Sequence, residues 1–400
     1  MADNAEAARN QFAALIMTRL RARGQRDVSY DSDEFQITAG DLVINLGNIY
    51  RETRELSPAE ADERVTRFLS AMSDPDPAPG WPEVRAYLRP LLRPATYGLG
   101  PSEPLSRPAF PFINELVAVD RPNSRSILLQ TSIEDWGVTA DEVFAAAREN
   151  LAALVRPHEG SDGNSIVNYI DNGDGYFTSW LLEPGWLASF RARYGHRRPV
   201  AFIPENDRLI VVPDVPAILE KTYAMVEEEF QAAPRSLSPQ GYTLAADDTV
   251  IPFDQAGPHE QLPAAHRARC GLAATEYARQ TAWLSETYEE HFEIPAYDLE
   301  PAFVAKVSFL LTVDGPCTLT VWGEGVDYLL PEADYVAFLR NDESGEPERL
   351  FDVPFAAVAE TLELTPIPGM NPPRYEIRSW PSAEQLTRLS QAAVTLQPAD

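Results

Sequence analysis

Two places in this sequence hold residues whose types and spacing suit binding or chemistry. The first is Asp171-Asn172-Gly173-Asp174-Gly175, which has the look of a calcium loop. Such a loop sets oxygen-bearing side chains at alternate positions and closes on an acidic residue, because calcium takes about six to eight hard oxygen ligands. Counted from Asp171, the alternate positions are Gly173 and Gly175 and the closing one is Leu182, so those oxygens are missing. A glycine-bearing turn in which Asp and Asn bond their own backbone accounts for the same residues. Loops on rigid scaffolds often carry function. Asp174, Gly175, Tyr176 and Trp180, with Arg93 from earlier in the chain, are therefore the candidate ligand-binding residues.

The second place is a helical stretch with His266 and Cys270 four residues apart, on one face. Zinc needs three or four converging N or S ligands. His259 and His291 flank this pair, but no second pair stands at a metal-binding spacing, and His291 falls on an apolar face as a core histidine would. His266 and Cys270 are the metal candidates; no metal or other cofactor is expected.

Other catalytic patterns fail on local grounds. There is no G-x-S-x-G elbow and no P-loop lysine. Gly98-Leu99-Gly100 is followed by Pro101 and Pro104, which cannot open a phosphate-cradling helix. Gly323-Glu324-Gly325 reads as a turn, and Cys317, where a turn enters a strand, reads as a small buried hydrophobe. Carboxylates are too numerous for any pair to stand out, so no catalytic residue is named.

Charge narrows the partners. With 33 basic and 61 acidic side chains the net charge is −28, a field that repels phosphate backbones and anionic lipid. The densest basic cluster, Arg191, Arg193, Arg197 and Arg198, reads as a helix C-terminus enriched in cations. Neither nucleic acid nor membrane is expected as a partner; a protein partner is, and a basic one is among the candidates. Two cysteines, no basic-then-apolar leader and no long apolar run make the cytoplasm the expected compartment.

The elements that must position these residues are mixed. Phe12, Leu15, Ile16 and Leu20 predict a helix over 5–23, and Ser57-Pro58 with Glu60 predicts a capped helix with Ala61, Val65, Phe68, Leu69 and Met72 inward. Strands are predicted at 28–30, 34–38 and 42–50, then at 115–119 and 126–131, with a loop over 98–111. A second capped helix starts at Thr139 and Glu142. Its Val143, Ala147, Leu151 and Leu154 align with Ala61, Val65, Leu69 and Met72. The run Leu20-Arg21-Ala22-Arg23-Gly24 before a hairpin is echoed by Phe190-Arg191-Ala192-Arg193-Tyr194-Gly195. These echoes predict an internal duplication. The class is α+β: a first unit over 1–98, a related unit over 99–231, a Pro/Gly-rich linker over 232–263, and a C-terminal α+β domain over 264–400 opened by a long helix.

Four segments together resemble a bacterial family of unknown function typified by YtpQ. They are Leu91-Leu92-Arg93; the strand Ser126 to Gln130 feeding a helix that ends Asn150-Leu151-Ala152-Ala153-Leu154; Asn172-Gly173-Asp174-Gly175-Tyr176 with Ser179, Leu181 and Leu182 behind it; and Pro204-Glu205-Asn206-Asp207-Arg208-Leu209-Ile210-Val211. The resemblance covers about residues 10–220. It implies an α+β fold and brings no activity. The inserted Asn172-Gly173 and everything after about residue 235 depart from it.

The sequence thus points to a non-enzymatic binding or adaptor protein of unknown ligand, with a basic protein as one candidate. The alternative is a hydrolase-like enzyme with a loop-borne site in a cleft between the first two units.

Overall fold

Ala13, Ile16 and Leu20, spaced for one helical face, are all fully buried in the computed structural model of the chain. The structure describes every residue except 1, 33–34, 40–41, 55, 74–79, 100–102, 122–123, 157–165, 172–174, 292–296, 298, 343–344 and 400. The fold is α+β, with several antiparallel sheets. By packing it divides into two units, Met1–Leu88 with Ala118–Ser126, and Arg89–Val117 with Ile127–Asp400.

In the first unit, α1 (Ala2–Ala22) ends at Gly24, whose φ of 87° suits only glycine well. An antiparallel sheet follows, β1 (Val28–Asp31), β2 (Gln36–Ala39) and β3 (Leu42–Asn45). The sequence predicted strand as far as residue 50; instead the chain turns into α2 (Gly47–Arg54). Ile49 is buried there and Thr53 Oγ1 donates to the Ile49 carbonyl at 2.8 Å, so helical spacing overrides the apolar run. Next comes α3 (Pro58–Ser73), started by the predicted Ser57–Glu60 capping contacts, and then the short α4 (Trp81–Val84). Val65 and Leu69 of α3 join Ile16, Leu20, Ile37 and Ile44 in one core.

Next, β4 (Leu88–Pro94), β5 (Ser106–Phe110) and β6 (Ile113–Arg121) form a sheet ordered β4-β6-β5, with β7 (Ser124–Ile127) also on β6; residues 118–121 of β6 and 124–126 of β7 count with the first unit. Strand β5 lies where a loop was expected, because Ser106 to Pro108 pair with Leu116 to Asn114. Then come α5 (Gln130–Trp136) and α6 (Ala140–Ala152), the latter carrying the predicted Thr139–Glu142 capping box. Val143, Ala147 and Leu151 are fully buried, whereas Leu154 is 36% exposed.

A five-stranded sheet, ordered β12-β11-β9-β10-β8, is built from β8 (Val167–Ile170), β9 (Pro199–Glu205), β10 (Arg208–Pro213), β11 (Ser236–Leu244) and β12 (Val250–Pro252). The turn of helix α7 (Phe190–Arg193) and the helix α8 (Pro216–Ala232) flank its hairpin. Residues 232–263, read from sequence as a linker, contain β11, which is buried along its whole length. Its polar side chains find internal partners: Tyr242 Oη donates to Ser238 Oγ at 2.8 Å and Thr243 Oγ1 to the Pro199 carbonyl at 2.7 Å. Helix α9 (Leu262–His291) follows and touches both β11 and the later strands, so no domain boundary falls at residue 264.

Beyond α9 lie β13 (Phe303–Val304), β14 (Ser308–Thr312), β15 (Gly315–Gly323), β16 (Tyr328–Pro331), β17 (Tyr335–Asn341), β18 (Pro347–Pro354), α10 (Phe355–Leu362), β19 (Arg374–Ile377) and α11 (Ala383–Gln391). They make a three-stranded sheet β13-β16-β19 and a four-stranded sheet β14-β15-β17-β18. Trp322, Phe338, Val353 and Val358 anchor their shared core. Burying each such side chain stabilises the fold by roughly 1.5–3 kcal/mol.

Gly241 on β11 shows how tight this packing is. A β-carbon there would stand 2.8 Å from Tyr223 Oη and 3.1 Å from Val200 Cγ1. Gly241→Ala is expected to destabilise the chain by about 1–3 kcal/mol through overpacking. A lower midpoint in urea denaturation checks this, and an unchanged midpoint would refute it.

Candidate functional site

Helix α9 presents His266, Arg269 and Cys270 on one face, at three- and four-residue spacing. Opposite stands Asp334, in the turn before β17. Its Oδ2 accepts from Thr318 N–H at 2.7 Å and from Thr318 Oγ1 at 2.8 Å, while its own N–H donates to Thr318 Oγ1 at 2.8 Å. The carboxylate is therefore fixed before any partner arrives. His266, Cys270 and Asp334 each bring one ligand-type atom, all within 4.8 Å of one another.

The point on which they converge is taken by the chain itself. Arg269 Nη2 donates to Asp334 Oδ1 at 2.6 Å, abuts His266 Nε2, and lies 3.7 Å from Cys270 Sγ. Its Nε is 3.5 Å from Asp254. A guanidinium has donors and no acceptor, so His266 Nε2 must be the unprotonated ring nitrogen. The metal-like ligand set thus encloses a fixed organic cation, and a divalent ion would have to evict it.

Electrostatics agree with a closed cluster. Burial pushes the Cys270 thiol up to about 12, and Cys270 is 0% exposed, so it is neither a ready thiolate nor reachable. Burial likewise raises Cys317 and Asp254, against the pull of Arg269. Burial also works to raise Asp334, but the Arg269 guanidinium and the Thr318 hydrogen bonds outweigh it and hold the carboxyl low. His266 is lowered, first by burial and then by Arg269 beside it.

About two to three turns further along, α9 buries a second polar set. Arg374 of β19 is 0% exposed and donates to Gln280 Oε1 (2.6 Å), Thr281 Oγ1 (2.6 Å), and the carbonyls of Ala305 (2.8 Å) and Leu329 (2.9 Å). No carboxylate is among these acceptors, and the Tyr277 ring lies 5.5 Å from the guanidinium. Burial lowers this arginine to about 10. Tyr277 Oη donates to the Pro373 carbonyl and accepts from Glu332 N–H. Glu276 accepts from Thr96 N–H, Thr96 Oγ1 and Arg279 Nη1.

The residues chosen from sequence are placed differently. Tyr176 and Trp180 are 4% and 6% exposed. Trp180 stacks edge-on with Phe177 and Trp186 and donates from Nε1 to the Gly175 carbonyl at 3.0 Å. Gly175 N–H donates to Asp171 Oδ1 at 2.9 Å, the self-bonding turn expected from the sequence. A β-carbon on Gly175 would meet the Phe177 ring at 2.6 Å, which explains the glycine by packing. Asp174 and the His291 side chain lie outside the described residues. Arg93 is half-buried on β4, donating to the Leu92 carbonyl with its guanidinium 5.8 Å from the Tyr97 ring. The arginine cluster is partly neutralised, Arg191 by Asp248 and Arg198 by Asp214. An open depression of about 510 Å³ lies elsewhere, lined by Tyr288, Phe303, Val326 and Asp327 among others.

Sequence reasoning found His266 and Cys270 and missed Arg269, Asp334, Glu276, Gln280 and Arg374. Glu276 and Gln280 did leave a trace: they fall at helical spacing among Ala273, Tyr277 and Leu284, on a face where a polar residue must find an internal partner. No family model matches this chain, and neither a curated protein nor a solved structure does.

Two outcomes are expected. Arg374→Lys removes a fork that no ammonium can replace and strands buried acceptors, at a cost of about 3 kcal/mol or more in chemical denaturation. The second concerns acid. Because folding lowers the His266 pKa from its ordinary 6.5, the unfolded chain binds the extra proton first. This contribution is complete above 6.5 and is lost as the pH falls from there through the lowered value. His266→Gln, which keeps an acceptor for Arg269, should flatten the stability–pH curve in that window; an unchanged curve would contradict the assignment.

Proposed function

We infer that this chain is a non-catalytic binding protein whose ligand is a cation-rich protein surface or segment. The observation that carries this reading is how the charge is distributed. Among the described residues the buried carboxylates are Glu115, Glu276 and Asp352. Each is matched by arginine: Glu115 by Arg107 and Arg148, Glu276 by Arg279, Asp352 by Arg349. With Arg374 also buried and facing no carboxylate, the described interior holds no unmatched negative charge, so the surplus of 28 negative charges stands towards solvent.

The cations are almost all arginine; Lys221 and Lys306 are the only lysines in the chain. Arginine grips carboxylates through a planar fork, and each ion pair found among the described residues uses it. Arg148, for example, reaches Glu115 with two nitrogens, at 2.6 and 2.7 Å, and the Leu182 carbonyl with a third. Arginines spent in this way leave the outer surface to Asp and Glu. Such a surface draws in basic partners at a distance and loses them as salt rises.

The polar clusters on α9 support binding over catalysis. Cys270, Glu276, Gln280 and Arg374 are buried, His266, Arg269 and Asp334 are half-buried and bonded to one another, and a catalytic group must reach its substrate. The test is affinity capture on the immobilised chain at low and high ionic strength, with retained proteins identified. Basic proteins released by salt are the expected result. Retention indifferent to salt, or of proteins without basic character, would overturn the reading.

A further inference from the structure

The four-stranded sheet β14-β15-β17-β18 ends in two edge strands, β14 and β18, and one short segment serves both. After α11, Val394 N–H donates to the Asp352 carbonyl of β18 at 2.8 Å. A few residues on, Pro398 bridges Thr312 in antiparallel sense. Val313 N–H donates to the Gln397 carbonyl at 3.0 Å, and Ala399 N–H to the Leu311 carbonyl at 2.9 Å. Residues 397–399 thus stand in for a short strand along β14, at the end of a segment that leaves β18 at Val394.

Three observations say that this occupant is held lightly on a receptive edge. The segment is mostly exposed, with only Leu396 and Ala399 half-buried. Leu311 and Val313 on the edge are 49% and 63% exposed despite it. Neither side carries a charge: Ser308 to Val313 and Gln391 to Ala399 contain no Asp, Glu, Lys or Arg, in a chain that is 24% charged. Edges that must never pair are usually defended by charged side chains, proline or bulges. Here such charges are missing from β14 itself.

We propose that the β14 edge is a peptide-binding site that works by strand addition, and that residues 394–399 are its resident, exchangeable occupant. The ligand class is an extended, uncharged segment with aliphatic or β-branched residues, of which Val394-Thr395-Leu396-Gln397-Pro398-Ala399 is the built-in example. Main-chain hydrogen bonds supply the grip, and side-chain contacts with Leu311 and Val313 supply selection. This rests on the binding reading above but adds a second mode, one that salt does not weaken. Failure here would leave salt-sensitive capture of basic proteins intact, and failure there would leave strand exchange intact.

The experiment uses a fluorescent synthetic peptide of residues 391–399, read by anisotropy against two proteins, the full chain and a chain ending at Gln391. The shortened chain, shown folded by its unfolding transition, is expected to bind the peptide. The full chain should bind roughly ten-fold or more weaker, because its site is occupied most of the time. Equal affinity in both, or no binding by the folded shortened chain, overturns the proposal. Should the shortened chain not fold, hydrogen exchange on the full chain decides. The Val313 amide must exchange far faster than that of Val353 inside the sheet, and faster still in Ala399→Pro. Protection of Val313 equal to that of Val353 also overturns it.

Discussion

A guanidinium sealed from water without a carboxylate can exist only if neutral oxygens are held in place around it. Arg374 is in that position, and its acceptors come from widely separated parts of the chain: Gln280 and Thr281 on α9, Ala305 after β13, and Leu329 on β16. Each acceptor is fixed by its own element, and Gln280 is further locked by donating to the Pro372 carbonyl. Desolvating a charge is expensive, so the arrangement must form whole or not at all. The same helix carries Glu276 to Thr96 and Tyr277 to Glu332 and Pro373. Helix α9 therefore serves as the axis of the second unit, and its polar residues set the register of the strands that reach it.

The Arg269 cluster follows the same logic nearer the surface. His, Cys and Asp in mutual reach are a metal set by composition, yet the position they share holds a guanidinium nitrogen. Composition alone cannot separate these cases. What separates them is which cation the chain supplies, and Arg269 adjoins Cys270 in sequence. The charge balance of the interior is kept in the same way at Glu115, Glu276 and Asp352.

Local chemistry made much of the fold legible. The caps at Ser57 and Thr139 and the buried spacing of Ile16 and Leu20, Val65 and Leu69, and Val143, Ala147 and Leu151 are short-range signals, and they appear in the structure, whereas Leu15, expected on the same face of α1, is 42% exposed. Strand β11 was not legible, because Ser236, Ser238, Pro239, Gln240 and Thr243 look solvent-bound until the partners of Ser238 and Thr243 are known. Of the ion cluster, His266 and Cys270 could be read as a helical pair. Asp334 stands 64 residues from Cys270, and no local pattern joins them. The turn at Gly175 was read correctly as self-bonded, while its aromatic neighbours belong to a ring cluster that only tertiary packing reveals.

The near-exclusive use of arginine reaches beyond geometry. Amine-directed chemistry, whether an acyl transfer in a cell or a cross-linking reagent at the bench, finds only Lys221 and Lys306 among the side chains. Acetylation can therefore barely alter the electrical character of this molecule. Alkali is similarly blunt at the ion pairs, since a paired guanidinium keeps its proton where an ammonium would surrender it, while Arg374, lowered by burial, is the exception. Protonation can switch off the ion pairs that hold the interior from the carboxylate side alone, which makes acid rather than alkali the pH change able to dissolve them.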